Sequence, residues 1–454
     1  MKNAFLDAQI NLILNTNSPA TFGIYLNVSS VDDLEFSFSP LMIDSLNIVQ
    51  NFENAICDDI TVSFKISYKE YAQLYDHQSS LIGVLRFEYR DSDCRPVVSL
   101  PNIVRNYRVV LVDPIDIHKQ VPDAYLRNTL DTTLTLRLIE NTVYNLRLTK
   151  VNGIFSGTNI ADTIRHVTRE FGIRQIHMVP PDNTQVYTHI IIPPVKDFKD
   201  CYNYLHQRYG VYMQGIIAYI TDDILYVYPP FDTTPESDKT MVVYQADIGQ
   251  YGGITSTYML SDMALSIVTS NVGHVCDFSV LGSENEGNTR TFMRGSSVIN
   301  GVIEPTNENT IEFKDNNILN LSLKNSKMIN PDAQHVVYTD KPTDNPFVLG
   351  SKLSKTQAML LDFEWTKAIP FSIEPGMKVS YYSDVGGLIS TRYGILEVIQ
   401  YKFMRTRNSA YGENYIGMAN VTVRLSPSAN IAGTNVVNTS KTNPIITAAN
   451  ILKN

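Results

Sequence analysis

Asp222 and Asp223 are the adjacent carboxylates in this 454-residue chain with the most direct chemical potential. Two acids facing a cleft can cleave a glycosidic bond, one donating the proton while the other attacks or activates water. Here the pair joins two aromatic, β-branched runs, Tyr212 to Ile220 and Ile224 to Tyr228, and so sits at an expected hairpin tip. Aspartate is a common turn residue because its side chain bonds to nearby backbone, so the turn reading is favoured over a hydrolase. Four of the eight histidines, His166, His177, His189 and His206, crowd one segment. No two of them lie at i, i+4 on one helix and none stands in an H-E-x-x-H context, so no metal site is expected. Tyr202, Tyr204 and Tyr209 could stack sugars or bases, but their helical spacing favours a packed core. The chain carries no P-loop, glycine-rich dinucleotide fingerprint, G-x-S-x-G elbow or catalytic-cysteine context. It is therefore read as a non-enzyme with no catalytic, cofactor-binding or metal-binding residue.

The elements that hold these residues are legible. Ile160, Ile164, Val167 and Phe171 form an apolar stripe at helical period, with Asn159 suited to cap the first turn and Gly172 to a left-handed exit. Tyr187 to Ile192 is a β-branched strand stopped by Pro193 and Pro194. Phe198, Cys201, Tyr202, Leu205 and Tyr209 repeat the helical pattern and Gly210 closes it. With the hairpin ended by Pro229 and Pro230, the segment predicts a small α/β module.

The phrases "NIADTIRHVTREFG", "HIIIPPVKDFKDCYNYLHQRYGVYMQGI" and "DDILYVYPPF" resemble the module between the two tube domains of baseplate hub proteins from contractile-tailed bacteriophages. Those hubs are related to type VI secretion spike hubs. "IPFSIEPGMKVSYY", "GILEVIQYKFMR" and "ANVTVRLS" are similar to the closing strands of the family's second tube barrel. The resemblance implies a structural virion protein of the tail baseplate, assembled in the host cytoplasm. It implies a homotrimer whose two barrels per chain imitate a six-subunit ring, joining the hexameric tail tube protein to the trimeric central spike protein beside other baseplate proteins. DNA would pass through the lumen without specific binding. A cell-wall hydrolase, a carbohydrate binder and another tail structural protein, such as a tube initiator, stay open as alternatives.

Composition agrees with an assembly protein. Charged residues are 18% of the chain, below the roughly 25% usual for soluble domains. A net charge of −9 argues against a phosphate-gripping face, although Arg86, Arg90 and Arg95, or Lys402, Arg405 and Arg407, form local basic groups. Cys57, Cys94, Cys201 and Cys276 lack C-x-x-C spacing and are expected as reduced thiols. Met1 to Ala20 holds only the short apolar run Leu12 to Leu14, so no signal peptide is predicted. No apolar run is long enough for a membrane-inserted helix.

The reading is mainly β with an α/β insertion, two β-barrel-like tube domains flanking the small module. Residues 1–150 form the first barrel, 151–235 the module, 236–427 the second barrel with loop excursions over 283–345, and 428–454 an extended arm held by a partner. Expected strands are Phe22 to Val28, Ile60 to Ser67, Leu81 to Tyr89, Tyr107 to Val112, Leu134 to Ile139, Met241 to Tyr244, Val275 to Leu281, Phe371 to Tyr382, Gly394 to Met404 and Val421 to Leu425, with a helix over Tyr68 to His77. Turns at Asn152-Gly153 and Ser156-Gly157 mark the module boundary, and Glu374-Pro375-Gly376 a tight turn. Phe22 to Val28 and Val421 to Leu425 are expected as edge strands open to neighbouring subunits.

Overall fold

The computed structural model describes residues 4–15, 21–30, 34–91, 93–112, 131–146, 149–194, 198–230, 239–251, 256–260, 264–270, 272–276, 359–385, 387–406, 414–425 and 430–431, with short pieces between 292 and 351. Helix α1 (Ala4–Leu14) precedes β1 (Thr21–Ser29), β2 (Glu35–Phe38), β3 (Ile43–Asn51) and β4 (Asp59–Ser67); α2 (Tyr68–Asp76) leads to β5 (Ile82–Arg90), β6 (Ile103–Leu111) and β7 (Asp131–Ile139). The α/β segment holds α3 (Asn141–Leu146), β8 (Gly153–Asn159), α4 (Ile160–Glu170), β9 (Gln175–Met178), β10 (Val186–Ile192), α5 (Phe198–Tyr209), β11 (Ile217–Thr221) and β12 (Ile224–Tyr228). Next come β13 (Thr240–Gln245), α6 (Ile248–Tyr251), β14 (Thr257–Leu260), β15 (Ala264–Thr269), β16 (Val272–Cys276) and the short β17 (Phe292–Arg294), β18 (Val302–Asn307), β19 (Thr310–Lys314) and β20 (Val336–Tyr338). The last long strands are β21 (Met359–Thr366), β22 (Lys378–Val385), β23 (Leu388–Arg405) and β24 (Tyr415–Leu425).

The mainly-β expectation with an α/β insertion is borne out. Strands β23, β3, β4, β7, β6, β5, β1 and β24 pair in that order, and β24 pairs back onto β23, closing an antiparallel ring. Alternate residues of each strand fill the interior: Phe22, Ile24, Leu26 and Val28 on β1, and Ile60, Val62, Phe64 and Ile66 on β4, are all buried. Phe87 and Phe403 meet inside with ring centroids 5.2 Å apart. The ring is thus a packed core, and its last two strands come from far along the chain.

A second half is built on the same two strands. Residues Leu388 to Ile395 of β23 pair with β22, whereas Val398 to Phe403 pair with β3. On its other edge β23 pairs with β24 from Gly394 to Arg405, and β24 divides its far edge between β21 and β1. Outward from β22 follow β13, β15 and β14, and outward from β21 lies β16. The two flanks approach where Thr366 Oγ1 donates to the Ser256 carbonyl at 2.8 Å and Tyr258 meets Trp365 edge-on at 5.7 Å.

Local chemistry explains several element ends. Ser67 and Glu70 form a reciprocal capping box at the start of α2. Asn159 Oδ1 accepts the Asp162 N–H at 2.8 Å to start α4, and Gly172 and Gly210, with φ of 84° and 82°, end α4 and α5 as their positions predict. Gly376 has φ 77° in the predicted tight turn, which the Met377 N–H closes onto the Glu374 carbonyl at 3.1 Å.

The structure corrects other expectations. Neither proposed edge strand is open: β1 pairs with β5 along its length and with β2 and β24 on the other side, and Val421 to Leu425 pairs with both β21 and β23. Most of their backbone groups are consumed within the chain, with Gly23 to Tyr25 paired on the β5 side alone among the described residues. Ser156-Gly157 is not a turn but lies in β8, paired with β10. Residues Phe371 to Met377 precede β22 without joining it, since Phe371 at φ 56° and the Gly376 turn break extension. Tyr212 to Ile216 likewise lie before β11, where Tyr212 spends its hydroxyl on the Val179 carbonyl at 2.5 Å. Helix α1, where only a short apolar run was read, packs Leu6, Ile10 and Ile13 against Ala246 and Val268 of the second half. Strands β3, β15 and β21 were not anticipated. Residues 277–281, much of 283–345, and 432–454 lie outside the described residues.

Because β23 and β24 run side by side at Gly394, a Cβ there would overlap the Arg424 carbonyl oxygen, a backbone atom with no rotamer to escape into. Gly394→Ala is therefore expected to destabilise the chain by about 1–3 kcal/mol, measured as a lowered midpoint in urea.

Candidate functional site

The module contains two small sheets, the β8–β10 ribbon and the three-stranded sheet β11, β12 and β9. Its β11–β12 turn carries Asp222 and Asp223 at φ 57° and 61°, a two-residue hairpin turn with both central residues left-handed, which aspartate tolerates. This tip faces residues of the ring and of α3. It is inserted against the ring: Asp222 pairs with Arg105 of β6, its N–H donates to Glu140 Oε1, and Asp223 accepts from the Thr142 hydroxyl.

Behind the tip lies a buried polar cluster. Tyr219 of β11 donates to Asp58 Oδ1 at 2.7 Å, and Gln50 Nε2 donates to the same oxygen at 3.0 Å. Burial pushes Asp58 above the usual carboxylate range, against the pull of those two donors. Burial, reinforced by the Asp58 charge, pushes Glu140 up to about 8. The Ile220 N–H donates to the Ile56 carbonyl at 2.7 Å, Phe52 meets Tyr219 edge-on at 4.7 Å, and Lys199 of α5 donates to the Glu53 and Ala55 carbonyls. The 51–58 loop between β3 and β4 is thus the seat of the module.

A second buried group stands one step further along the same loop. Arg424 of β24 donates to Glu53 Oε2 at 2.9 Å and to Glu397 Oε2 at 2.8 Å. Glu397 sits where the β23–β24 register shifts, so the bulge turns its side chain toward Glu53. Burial first, and then the hydrogen bond with Glu53, push Glu397 up to about 7.

The other residues singled out by type have structural partners. His166 lies 3.7 Å from Glu170 and edge-on to Phe155, His177 stacks on Tyr226, His189 Nδ1 is 3.1 Å from Ser156 Oγ, and His206 Nδ1 accepts the Val211 N–H at 3.4 Å. Among the described residues no group of three His, Cys, Asp or Glu side chains is placed to hold a metal ion. Tyr202 is fully buried with its hydroxyl 2.8 Å from that of Thr168, Tyr209 accepts the Ile191 N–H, and Tyr204 is half-buried. Of the basic groups, Arg90 is buried against Tyr25 and Glu88, Arg86 lies over the Tyr25 ring, and Arg405 donates to the Leu41 and Ile43 carbonyls. Arg95 and Lys402 are exposed, and Arg407 lies outside the described residues. Cys57, Cys94 and Cys201 are in the thiol form, outside any disulfide, with burial pushing Cys201 up to about 12.

Residues 10–241, just over half of the chain, match the family described as Bacteriophage PBS1 gene 109 protein. The chain belongs to that family. No curated protein matches it in sequence. Its fold is similar to that of the tail protein from Neisseria meningitidis (9% identity, 88% of this chain and 96% of that one, TM-score 0.44) and of the 43 kDa tail protein of prophage MuSo2 from Shewanella oneidensis (10%, 89% and 99%, 0.42). It is also similar to a chain of the half-lidded Francisella PdpA-VgrG complex (10%, 94% and 62%, 0.47). In this member of the PBS1 gene 109 family, sequence inspection passed over Asp58, Glu140, Glu53 and Glu397, since single acids beside strand ends carry no spacing signal. Among the described residues no helix is long and apolar enough to cross a membrane.

Removing the guanidinium from the second cluster leaves two buried acids without it. Arg424→Ala is expected to cost about 3–5 kcal/mol of stability by urea denaturation, and the added change Glu397→Gln to recover part of that loss.

Proposed function

We propose that this chain is a structural protein of a bacteriophage tail, acting as the baseplate hub between the hexameric tail tube and the trimeric central spike. The observation that carries this reading is the pair β23 and β24, which builds two β-structures into one chain so that each copy offers two laterally joined units. Three such copies would present six units to a six-fold tube while keeping three-fold symmetry toward a spike, and closed cyclic symmetry would limit the assembly. Membership of a bacteriophage protein family and the resemblance of the module and closing strands to hub proteins support it.

Because the first ring is filled by side chains, a passage for DNA in this reading lies between copies and not inside a barrel. The partners are two further copies, the tube protein, the spike protein and other baseplate proteins, and the location is the virion after assembly in the host cytoplasm. The division into 1–150, 151–235, 236–427 and a partner-binding arm 428–454 is part of the same proposal. So is the absence of catalysis, supported by the use of Asp222 and Asp223 as anchors.

Light scattering of the purified protein, alone and with its neighbouring tail proteins, is expected to give a trimer in at least the mixed sample. Monomer under every condition overturns the hub reading. Pure protein is expected to leave peptidoglycan and polysaccharide intact, and clearing that Asp222→Ala or Asp223→Ala abolishes would establish a hydrolase instead.

A further inference from the structure

The junction between module and ring gathers more acid than its contacts neutralise. Glu140 follows β7, Asp58 precedes β4, and Asp222 and Asp223 arrive from the module. Among the described residues Arg105 is the cation paired within this group, with Asp222. The neighbouring Arg137 is engaged by Asp59, its Nε donating to Oδ1 at 2.7 Å. Four tyrosines lie within electrostatic reach of these acids, Tyr107 of β6, Tyr219 of β11, Tyr226 of β12 and Tyr401 of β23, and Cys57 is within reach of Tyr219.

Glu140 is the group the docked geometry treats worst as an anion. Its Oε1 receives the Asp222 N–H, but its Oε2 is buried without a hydrogen-bond partner among the described residues. An ionised oxygen removed from water with no donor is strongly disfavoured, whereas a protonated Oε2 carries no charge to solvate. Lifting the hairpin would return the same carboxyl to water.

We propose that the Asp222-Asp223 hairpin tip is a proton-operated latch, seating the module on the ring when Glu140 is protonated and loosening when Glu140 ionises. The sign follows from linkage. With Glu140 raised from an ordinary carboxylate value to about 8 in the seated state, the seated form holds an extra proton between pH about 4.5 and 8. Seating therefore weakens as pH rises through that window and is level above it.

The test is hydrogen–deuterium exchange of the full chain from pH 5.5 to 7.5, corrected for intrinsic pH dependence, comparing 217–228 with the ring strand 60–67. Opening of 217–228 is expected to increase by up to about a hundred-fold across those two pH units, one proton's worth, while openings of 60–67 that leave Glu140 seated hold steady. Glu140→Gln, which keeps the shape and removes the proton, is expected to flatten the profile. Profiles that run parallel in wild type and variant overturn the latch. The wild type also decides alone if the variant fails to fold: opening of 217–228 that does not rise with pH overturns the proposal.

Discussion

The antiparallel pairing of β23 with β24 is the constraint on which the rest of this fold depends. An 18-residue strand spans about 60 Å, far more than one small barrel can use, so its two halves must find different neighbours. They do, on β22 and on β3, and β24 solves the same problem with β21 and β1. Backbone N–H and C=O groups in a buried strand must be paired, so once these two strands are laid down both halves of the molecule are tied to them. The N-terminal strands cannot close a ring until the C-terminal ones have been made, which makes the decisive contacts non-local and the fold slow to nucleate.

Closing the ring with distant strands leaves one loop, residues 51–58, at the meeting point of everything. Its start pairs with β23, and Phe52 donates its N–H to the Glu397 carbonyl at 3.0 Å. Its middle bonds to α5 and β11 of the module, and its end leads into β4 through Asp58. The two acid clusters flank this loop because strand ends and bulges are where side chains turn out of the alternating pattern. Arg424 holds one cluster by charge, while the other is held by neutral donors and a single guanidinium. Buried polar groups of this kind fix which surfaces meet more than they add to stability.

The tail role proposed above suits a chain with extensive packed β-structure and only 18% charged residues. Acids and tyrosines that look catalytic in isolation are spent on holding one part of the chain to another. Asn345 and Phe347 follow the same logic: Asn345 Nδ2 donates to the His206 and Gln207 carbonyls at the end of α5, and Phe347 covers Gly210. That glycine needs its left-handed conformation to end the helix and its bare Cα to admit the ring.

The sequence by itself determined the elements whose signals are local. Both module helices, with the Asn159 cap and the Gly172 and Gly210 exits, follow from period and end chemistry, and so do the Asp222-Asp223 hairpin and the Gly376 turn. Those features depend on residues within one or two turns of each other, so one sequence suffices. Tertiary structure alone decided which strands are edges, because β1 and β24 alternate as half-exposed strands do and nothing in their composition names their partners. It also decided the acid clusters: Asp58 and Tyr219 are 161 positions apart and Arg424 and Glu53 are 371 apart, so only closure of the ring sets their separation and removes their water. A carboxylate's chemistry is set by what surrounds it, and here the surroundings come from the opposite end of the chain.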